Sequence, residues 1–383
     1  MHGVGHGLAE RGHEVFLLTQ GWGSLSATEE AGLVRIRRYP VNRSTVLERF
    51  AGTWSGLPRA LREIPRPLDV VLLHHPLSGF VYNQLCSLEG VPQIYTFHSP
   101  WHLEVQSRPS LLLRGFRNPA LWPITFLCRM MERAVVLGAK RVLTLSQYMK
   151  DLCLSAHPEL PPSRVTVIPG GVDCGSFTPY RDIRARQEAR MTEFGVSDST
   201  VVFLTVRDLI PRMGLEALLN ALNRVQGIRS DWLCLIAGDG QLRKLLEKRA
   251  AAMGLQERVK FLGFVPEERL PGLYRVSDCF ILPSRELEGF GMVILEAMAC
   301  GLPVLGSPVG AIPEVLGPFD QDALLAGADD ASLARGILSR LDRGRPGRDL
   351  ALRCRRFAEH FSWPVIVEIV EETILEVIRD SHT

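Results

Sequence analysis

Cys279-Phe280-Ile281-Leu282-Pro283-Ser284-Arg285-Glu286-Leu287-Glu288-Gly289-Phe290-Gly291-Met292-Val293-Ile294-Leu295-Glu296 reads as an apolar strand, a polar loop and a glycine-rich entrance to a helix. A short apolar run bounded by turn residues suits a strand buried on both faces of a parallel sheet. Backbone N–H groups at the start of the following helix lack intrahelical partners, and the helix dipole favours an anion, so a diphosphate can sit there. Gly289 and Gly291 have no Cβ and let backbone approach a ligand closely. Glu288 and Glu296 bracket this entrance. Each can accept hydrogen bonds from neutral hydroxyls, such as a ribose on one side and a sugar ring on the other. The plainer alternative is a helix N-terminus with Glu288 near its positive end and Glu296 in solvent.

On both sides of this stretch, apolar runs alternate with amphipathic ones. Thr200–Val206, Trp232–Ala237, Val259–Leu262, Cys279–Leu282 and Pro303–Leu305 read as strands, with helices over Leu215–Val225 and from Gln241. That alternation predicts a doubly wound parallel sheet. Nearer the N-terminus, Val15–Thr19, Asp69–His74, Gln93–Phe97, Arg141–Leu145 and Val165–Ile168 read as buried parallel strands with helices between most of them. Pro169-Gly170-Gly171 then marks a turn, and Val172–Ser199 suits a polar linker with a connecting helix. A last helix opens at Phe361-Ser362-Trp363-Pro364, with Ser362 as N-cap and Pro364 in the first turn. The expected organisation is α/β with two Rossmann-like domains, 1–172 and 173–360, and a C-terminal helix, 361–383, returning to the first.

Composition fits this and narrows the function classes. A chain of 383 residues is too long for one ordinary core and fits two domains. A net charge of +2 gives no global signature of a nucleic-acid binder. The eight cysteines are scattered with no zinc-ligand spacing, which predicts no metal site, and several lie in apolar runs as small hydrophobes. Reduced thiols, no apolar run of membrane-spanning length and no signal-peptide pattern predict a cytoplasmic protein.

Several motifs in fixed order resemble the retaining glycosyltransferases of family four, the group-one glycosyltransferases of GT-B architecture, in which two Rossmann-like domains face each other across a cleft. The resemblance rests on Glu288 to Glu296 with E-G-F-G between them and the following E-A-M-A-C-G-L-P-V, on I-A-G-D-G at Ile236–Gly240, on F-L-G-F-V-P at Phe261–Pro266, and on Val167–Asp173. It implies a nucleotide-sugar donor, with Glu296 on the ribose and Glu288 on the sugar. It also implies backbone N–H groups of Phe290, Gly291, Met292 and Val293 along sugar and phosphates, and the backbone at Phe264 and Val265 beside the base. Gly289 belongs to the same donor loop. The Phe290 ring itself reads equally well as core filling.

Arg207 and Arg212 lie in V-R-D-L-I-P-R-M-G. By the resemblance they stabilise charge on the departing diphosphate, which guanidinium groups do well. The family usually places a lysine directly before the glycine; here Met213 stands there and Arg212 is one residue earlier. Arg212 therefore reads either as the replacement cation or as a surface arginine. His98, at the carboxyl end of Gln93–Phe97, matches a family histidine facing the donor sugar, against the reading of a structural histidine; His74 and His75 end another strand. The resemblance further implies retention by front-face displacement, no metal and no cofactor, with a saccharide, lipid-linked or small-molecule acceptor.

Met1–Val15 resembles the end of the family's first helix and start of its second strand, so the first strand and its glycine-rich loop should lie before Met1: either the natural start is upstream, or the N-terminal domain is incomplete. That leaves two hypotheses: an active transferase, or a nucleotide-sugar-binding protein with little turnover. Arg114–Arg117 through Trp122, Phe126, Arg129 and Arg133 mixes basic and aromatic residues, suiting either peripheral contact with an anionic membrane or a solvated helix face.

Overall fold

The structure, a computed structural model, describes residues 2–21, 25–42, 46–107, 122–180, 182–197 and 199–382. The chain forms two compact units, Met1–Pro169 with Trp363–Thr383, and Gly170–Ser362. The first carries β1 (Val15–Gly21), β2 (Thr28–Ala31), β3 (Val34–Pro40), β4 (Val71–Leu73), β5 (Gln93–Phe97), β6 (Arg141–Thr144) and β7 (Val165–Val167). The second carries β8 (Val201–Val206), β9 (Trp232–Ala237), β10 (Val259–Gly263), β11 (Cys279–Leu282) and β12 (Val304–Gly306).

In the second unit the sheet order is β10-β9-β8-β11-β12, every pair parallel. The chain adds β9 and β10 on one side of β8, then crosses to add β11 and β12 on the other. A topological switch point thus falls between β8 and β11, and ligands of open α/β sheets bind outside the carboxyl ends of strands at such a point. Helices on both faces bury β9 and β11 along their whole length, which is why their sequences are continuous apolar runs. The helix Leu215–Gln226 buries Leu215, Leu218, Leu219, Leu222 and Val225 against this core, the spacing of one helical face.

Asp278, fully buried at the amino end of β11, fastens the connecting helix Ile183–Phe194 to the sheet. Its carboxylate accepts from Arg186 Nη2 at 2.6 Å, Arg190 Nη1 at 2.8 Å and the backbone N–H of Val202 at 2.8 Å.

In the first unit β4-β5-β6-β7 form one parallel sheet and β1-β3-β2 another, with β2 antiparallel to β3. Side chains of β1 and β4 share two cores, Phe16 and Leu18 with Val71, and Val15 with Val70 and Leu72. β2 and β3 escape an apolar-run reading. In β3 the buried Val34, Ile36 and Tyr39 are interleaved with Arg35, Arg37 and Arg38, and β2 is Thr-Glu-Glu-Ala. The helix Trp363–His382 packs against the helix His2–Glu10. Ile366, Val367, Val370, Ile374 and Val377 are buried there with Leu8. Gly3 and Gly7 permit the approach: a Cβ on either would lie 2.1 Å from Trp363 or 2.4 Å from Val367.

Candidate functional site

The two loops that leave β8 and β11 meet at the switch point of the second unit. Arg207, the residue after β8, has its side chain almost entirely buried. Its Nη2 donates to Glu288 Oε2 at 2.7 Å and also touches the Met213 sulfur. Ser284 Oγ donates to the same Glu288 oxygen at 2.6 Å. Arg207 Nε is buried with no hydrogen-bond partner among the described residues. A buried guanidinium nitrogen without an acceptor is costly, so this donor is poised for an acceptor atom from a ligand.

Backbone contacts hold both ends of the ion pair. Gly238 has φ +132°, and a Cβ there would lie 1.8 Å from the Arg207 carbonyl oxygen. Gly310 has φ +60°; a Cβ there would lie 2.3 Å from the Glu288 oxygen, which accepts the Ala311 N–H at 2.9 Å. Leu287, directly before Glu288, is the non-glycine residue with positive φ (51°) among the described residues. A branched side chain there is strained, and strain of this kind persists where surroundings fix the backbone. Arg212 supplies part of that fixing: its Nη1 donates to the Leu287 carbonyl at 3.0 Å, while its own carbonyl accepts the Arg285 N–H at 2.9 Å.

The loop then enters the helix Met292–Ala299 through Gly291, left-handed at φ 81°, and no side chain caps that helix. The N–H groups of Gly291, Met292 and Val293 head an uncapped helix beside the buried arginine. The Phe290 ring is buried 6.2 Å from the Phe361 ring, so it fills core. One turn further, Glu296 is half-buried, not solvated, and its Oε2 accepts from the Tyr274 hydroxyl at 2.7 Å. Burial raises the Glu296 pKa, and the Tyr274 hydrogen bond partly offsets this.

At the carboxyl ends of β9 and β10 an open groove of about 530 Å³ is lined by Asp239, Gly240, Gln241, Arg243, Lys244 and Glu247. Arg243 also abuts Gly263, the last residue of β10. Phe264 follows, exposed at 77%, with Val265 half-buried beside it. Among the sequence candidates the fold brings Arg207, Arg212, Glu288 and the helix entrance together. Ser284 and Tyr274 join them. Ser284 carried a faint signal as the polar residue after Pro283 at a strand end; Tyr274 carried none.

His98 belongs to the first unit, one residue beyond β5. It stacks on His74, one residue beyond β4, with ring centroids 5.8 Å apart at 25°. Burial lowers both pKa values, that of His74 to about 3, so the pair is neutral near pH 7. His75 turns away and serves as a helix cap. Its Nδ1 accepts the Leu77 N–H at 3.1 Å at the start of the helix Pro76–Leu85. The segment after His98 is tethered by the buried Glu132, which accepts the Trp101 N–H at 3.1 Å, and by the Ser99 hydroxyl on Glu104.

Comparison with known proteins agrees with this arrangement. Residues 187–360 match the model for glycosyl transferases group 1, and residues 1–176 that for glycosyltransferase family 4. A D-inositol 3-phosphate glycosyltransferase of Acidothermus cellulolyticus is 30% identical over 84% of this chain and 69% of its own length. A GDP-mannose-dependent alpha-(1-6)-phosphatidylinositol monomannoside mannosyltransferase of Mycolicibacterium smegmatis is 29% identical over 63% of this chain. That match spans 64% of the relative's length. Among solved structures, sucrose-phosphate synthase from Thermosynechococcus elongatus shares the fold with TM-score 0.81 and 22% identity, covering 98% of this chain and 92% of that one. With two Rossmann-like units, both family models matched in order and the Arg207–Glu288 pair at the switch point, this chain belongs to the group 1 glycosyltransferases of family 4.

Proposed function

We propose that the chain moves a sugar from a nucleotide-diphosphate donor to an acceptor hydroxyl, with retention of anomeric configuration and without a metal ion or cofactor. The observation that carries this reading is the buried Arg207, with an unused donor, beside an uncapped helix N-terminus at the switch point. The diphosphate lies against Arg207, Arg212 and the N–H groups of Phe290, Gly291, Met292 and Val293. Glu296 accepts from the ribose hydroxyls, and Glu288 from a sugar hydroxyl. The base lies beside the backbone of Gly263, Phe264 and Val265.

In the transfer step the bond between the anomeric carbon and the diphosphate oxygen breaks, and its electron pair stays on that oxygen. The acceptor oxygen bonds to the anomeric carbon on the same face and passes its proton to the departing oxygen. Fixed cations and aligned N–H groups stabilise charge that develops only in the transition state. Acceptors are a saccharide, a lipid-linked sugar or a small polyol. The names of the two relatives, with phosphatidylinositol monomannoside and D-inositol 3-phosphate, support hydroxyl acceptors of that kind. All eight cysteines are free, which supports work in a reducing, cytoplasmic setting.

Thermal unfolding with UDP, GDP and ADP and their sugar conjugates tests this. One nucleotide at about a hundredfold over its Kd stabilises by about 2.7 kcal/mol. Glu296→Gln keeps an acceptor for Tyr274 and reduces the shift. A cooperatively unfolding protein that responds to none of them overturns the donor site.

A further inference from the structure

The basic stretch Arg114–Arg117 lies outside the described residues. A longer basic segment in the second unit does not. From Arg335 to Arg356 the chain carries eight arginines, with Asp342 and Asp349 as the acidic residues among them. Several of these arginines are spent locally. Arg343 pairs with Asp322 at 2.8 Å, Arg353 lies 5.3 Å over the Phe319 ring, and Arg355 donates to Glu359 and to the carbonyls of Cys174, Phe177 and Ala299. Arg340 is placed differently. It lies on the buried face of the helix Asp330–Asp342, 8% exposed, and its Nε and Nη2 have no hydrogen-bond partner among the described residues.

Its buried neighbours do not balance its charge. Cys279 and Cys354, both fully buried, lie near the guanidinium, and burial pushes both thiols up to about 12, so they stay neutral. Asp320, near Cys354, serves as a cap, its Oδ1 accepting the Asp322 N–H at 3.0 Å, and it forms no ion pair among the described residues. Asp278, the residue before Cys279, already carries Arg186, Arg190 and, at 3.7 Å, Arg345. A buried charge without a counter-charge is strongly destabilising, so a fold that keeps one points to a counter-ion from outside the chain.

The idle donors say of what kind. Nε and Nη2 share one edge of the planar guanidinium, the edge that grips two oxygens of a single oxyanion. A water accepts the hydrogen bonds but leaves the charge; an oxyanion answers both. Arg345, half-buried beside Asp278, brings a further positive charge to the same strand end, which favours a dianion over a single carboxylate. We propose that Arg340 centres a second anion site, at the amino end of β11, that takes a phosphate group, free or as a monoester. It stands at the opposite end of that strand from the donor loop and does not depend on it.

Melting of the whole chain in inorganic phosphate, in glycerol 3-phosphate and in sodium chloride at matched ionic strength tests the site. Both phosphates raise the wild-type melting temperature above its value in chloride, and they still do so in Arg207→Ala, which lacks the donor-site arginine. In Arg340→Met the Kd read from the shift is weaker by about tenfold or more, and Arg340→Lys, which keeps the charge without the planar fork, falls between. In chloride Arg340→Met melts no lower than the wild type, because methionine fills the space and removes a buried charge that has no counter-ion. The tighter of the two phosphates names the source, free phosphate or a phosphorylated metabolite. A wild type indifferent to both, or a shift undiminished in Arg340→Met, overturns the proposal. So does an Arg340→Met protein that melts lower in chloride, which shows the charge balanced within the fold.

Discussion

The second sheet carries a buried arginine–carboxylate cluster at each end, and the two clusters are built on the same pair of strands. At the amino edge Asp278 accepts from two guanidinium groups and the Val202 N–H. Arg186 also donates to the carbonyls of Arg275 and Ser277, and Arg190 to those of Val276 and Thr200. At the carboxyl edge both hydrogen bonds to Glu288 end on Oε2, Arg207 keeps an idle Nε, a helix starts without a cap, and Leu287 is held at positive φ. The chemistry is the same, and Arg190 Nε, like Arg207 Nε, is buried without a hydrogen-bond partner among the described residues; what sets the carboxyl edge apart is its surroundings, an uncapped helix start and a loop held at positive φ. The Asp278 carboxylate, with both oxygens bonded, fastens the fold, whereas Glu288, bonded through one oxygen beside a bare helix start, is what a ligand can complete. The difference follows from connectivity: the amino edge is where a linker helix must be tied down, and the carboxyl edge is where two loops diverge from the switch point.

The strongest way to break this contrast is to exchange the consequences. Asp278→Ala takes the carboxylate from three guanidinium groups, hydrogen-bonded Arg186 and the fully buried Arg190 and, at 3.7 Å, Arg345, and is expected to cost about 3–5 kcal/mol of stability. Chemical denaturation measures this, and the specific activity of the fraction that stays folded is expected to be unchanged. Arg207→Ala also costs stability, since the buried Glu288 keeps only the Ser284 hydrogen bond, but it adds a loss of transfer that Asp278→Ala does not. Sugar transfer falls roughly 10²–10³-fold, as for loss of one preorganised electrostatic donor, and kcat takes most of the loss because the charge it meets develops in the transition state. An Arg207→Ala protein with near wild-type transfer would place the site elsewhere. An Asp278→Ala protein that loses transfer as steeply as Arg207→Ala would remove the distinction between fastening and function.

A third buried carboxylate sharpens the contrast by having no arginine hydrogen-bonded to it among the described residues. Glu132 is 1% exposed, accepts among the described residues the Trp101 N–H, and sits 3.9 Å from the buried His157 ring. Burial pushes its pKa up to about 7 and lowers that of His157 to about 4. The sign for Glu132 follows from proton counts. Between the ordinary 4.5 and about 7 the folded chain holds a proton that the unfolded chain has released, so stability falls as pH rises through that window. The whole difference amounts to about 3 kcal/mol. Glu132→Gln keeps an acceptor for Trp101 and removes the titration. Its stability relative to wild type is therefore expected to grow from pH 5 toward pH 7.5, read from denaturation midpoints across that range. A constant difference would mean that Glu132 is not held protonated in the fold.

The contrast also separates what the sequence made legible from what it hid. The strands of the second sheet were readable because burial on both faces leaves continuous apolar runs, and the loop from Pro283 to Gly291 because glycine and carboxylate stand out between them. Asp278 was hidden within the run Asp278–Leu282, since one charge before a strand looks like a turn residue. Its arginine partners lie 92 and 88 residues upstream. β3 was hidden because its buried Val34, Ile36 and Tyr39 alternate with arginines. Arg212 was visible as a charge but not as a backbone clamp, because its bond goes to a carbonyl, and carbonyls carry no residue signature. Tyr274 was invisible for a similar reason: it reads as core, and only its oxygen reaches a site carboxylate.

That oxygen gives the smallest expected effect and the finest test of the open edge. Glu296 is pulled two ways, its pKa raised by burial and lowered by the hydrogen bond from Tyr274. Tyr274→Phe removes the bond and leaves the ring's packing, costing about 0.5–1.5 kcal/mol. Without the donor, the carboxylate is less favoured, so the Glu296 pKa rises further. If Glu296 holds the donor ribose as an ionised acceptor, nucleotide affinity falls as pH drops through its pKa, and in the variant that fall begins at higher pH. Titrating the nucleotide against both proteins from pH 7.5 down to pH 5 reads the displacement directly. Parallel curves that differ by a constant offset would show that Tyr274 only packs there. A variant curve displaced to higher pH would make Tyr274 part of the open edge, acting through Glu296 from a position fully buried behind the helix.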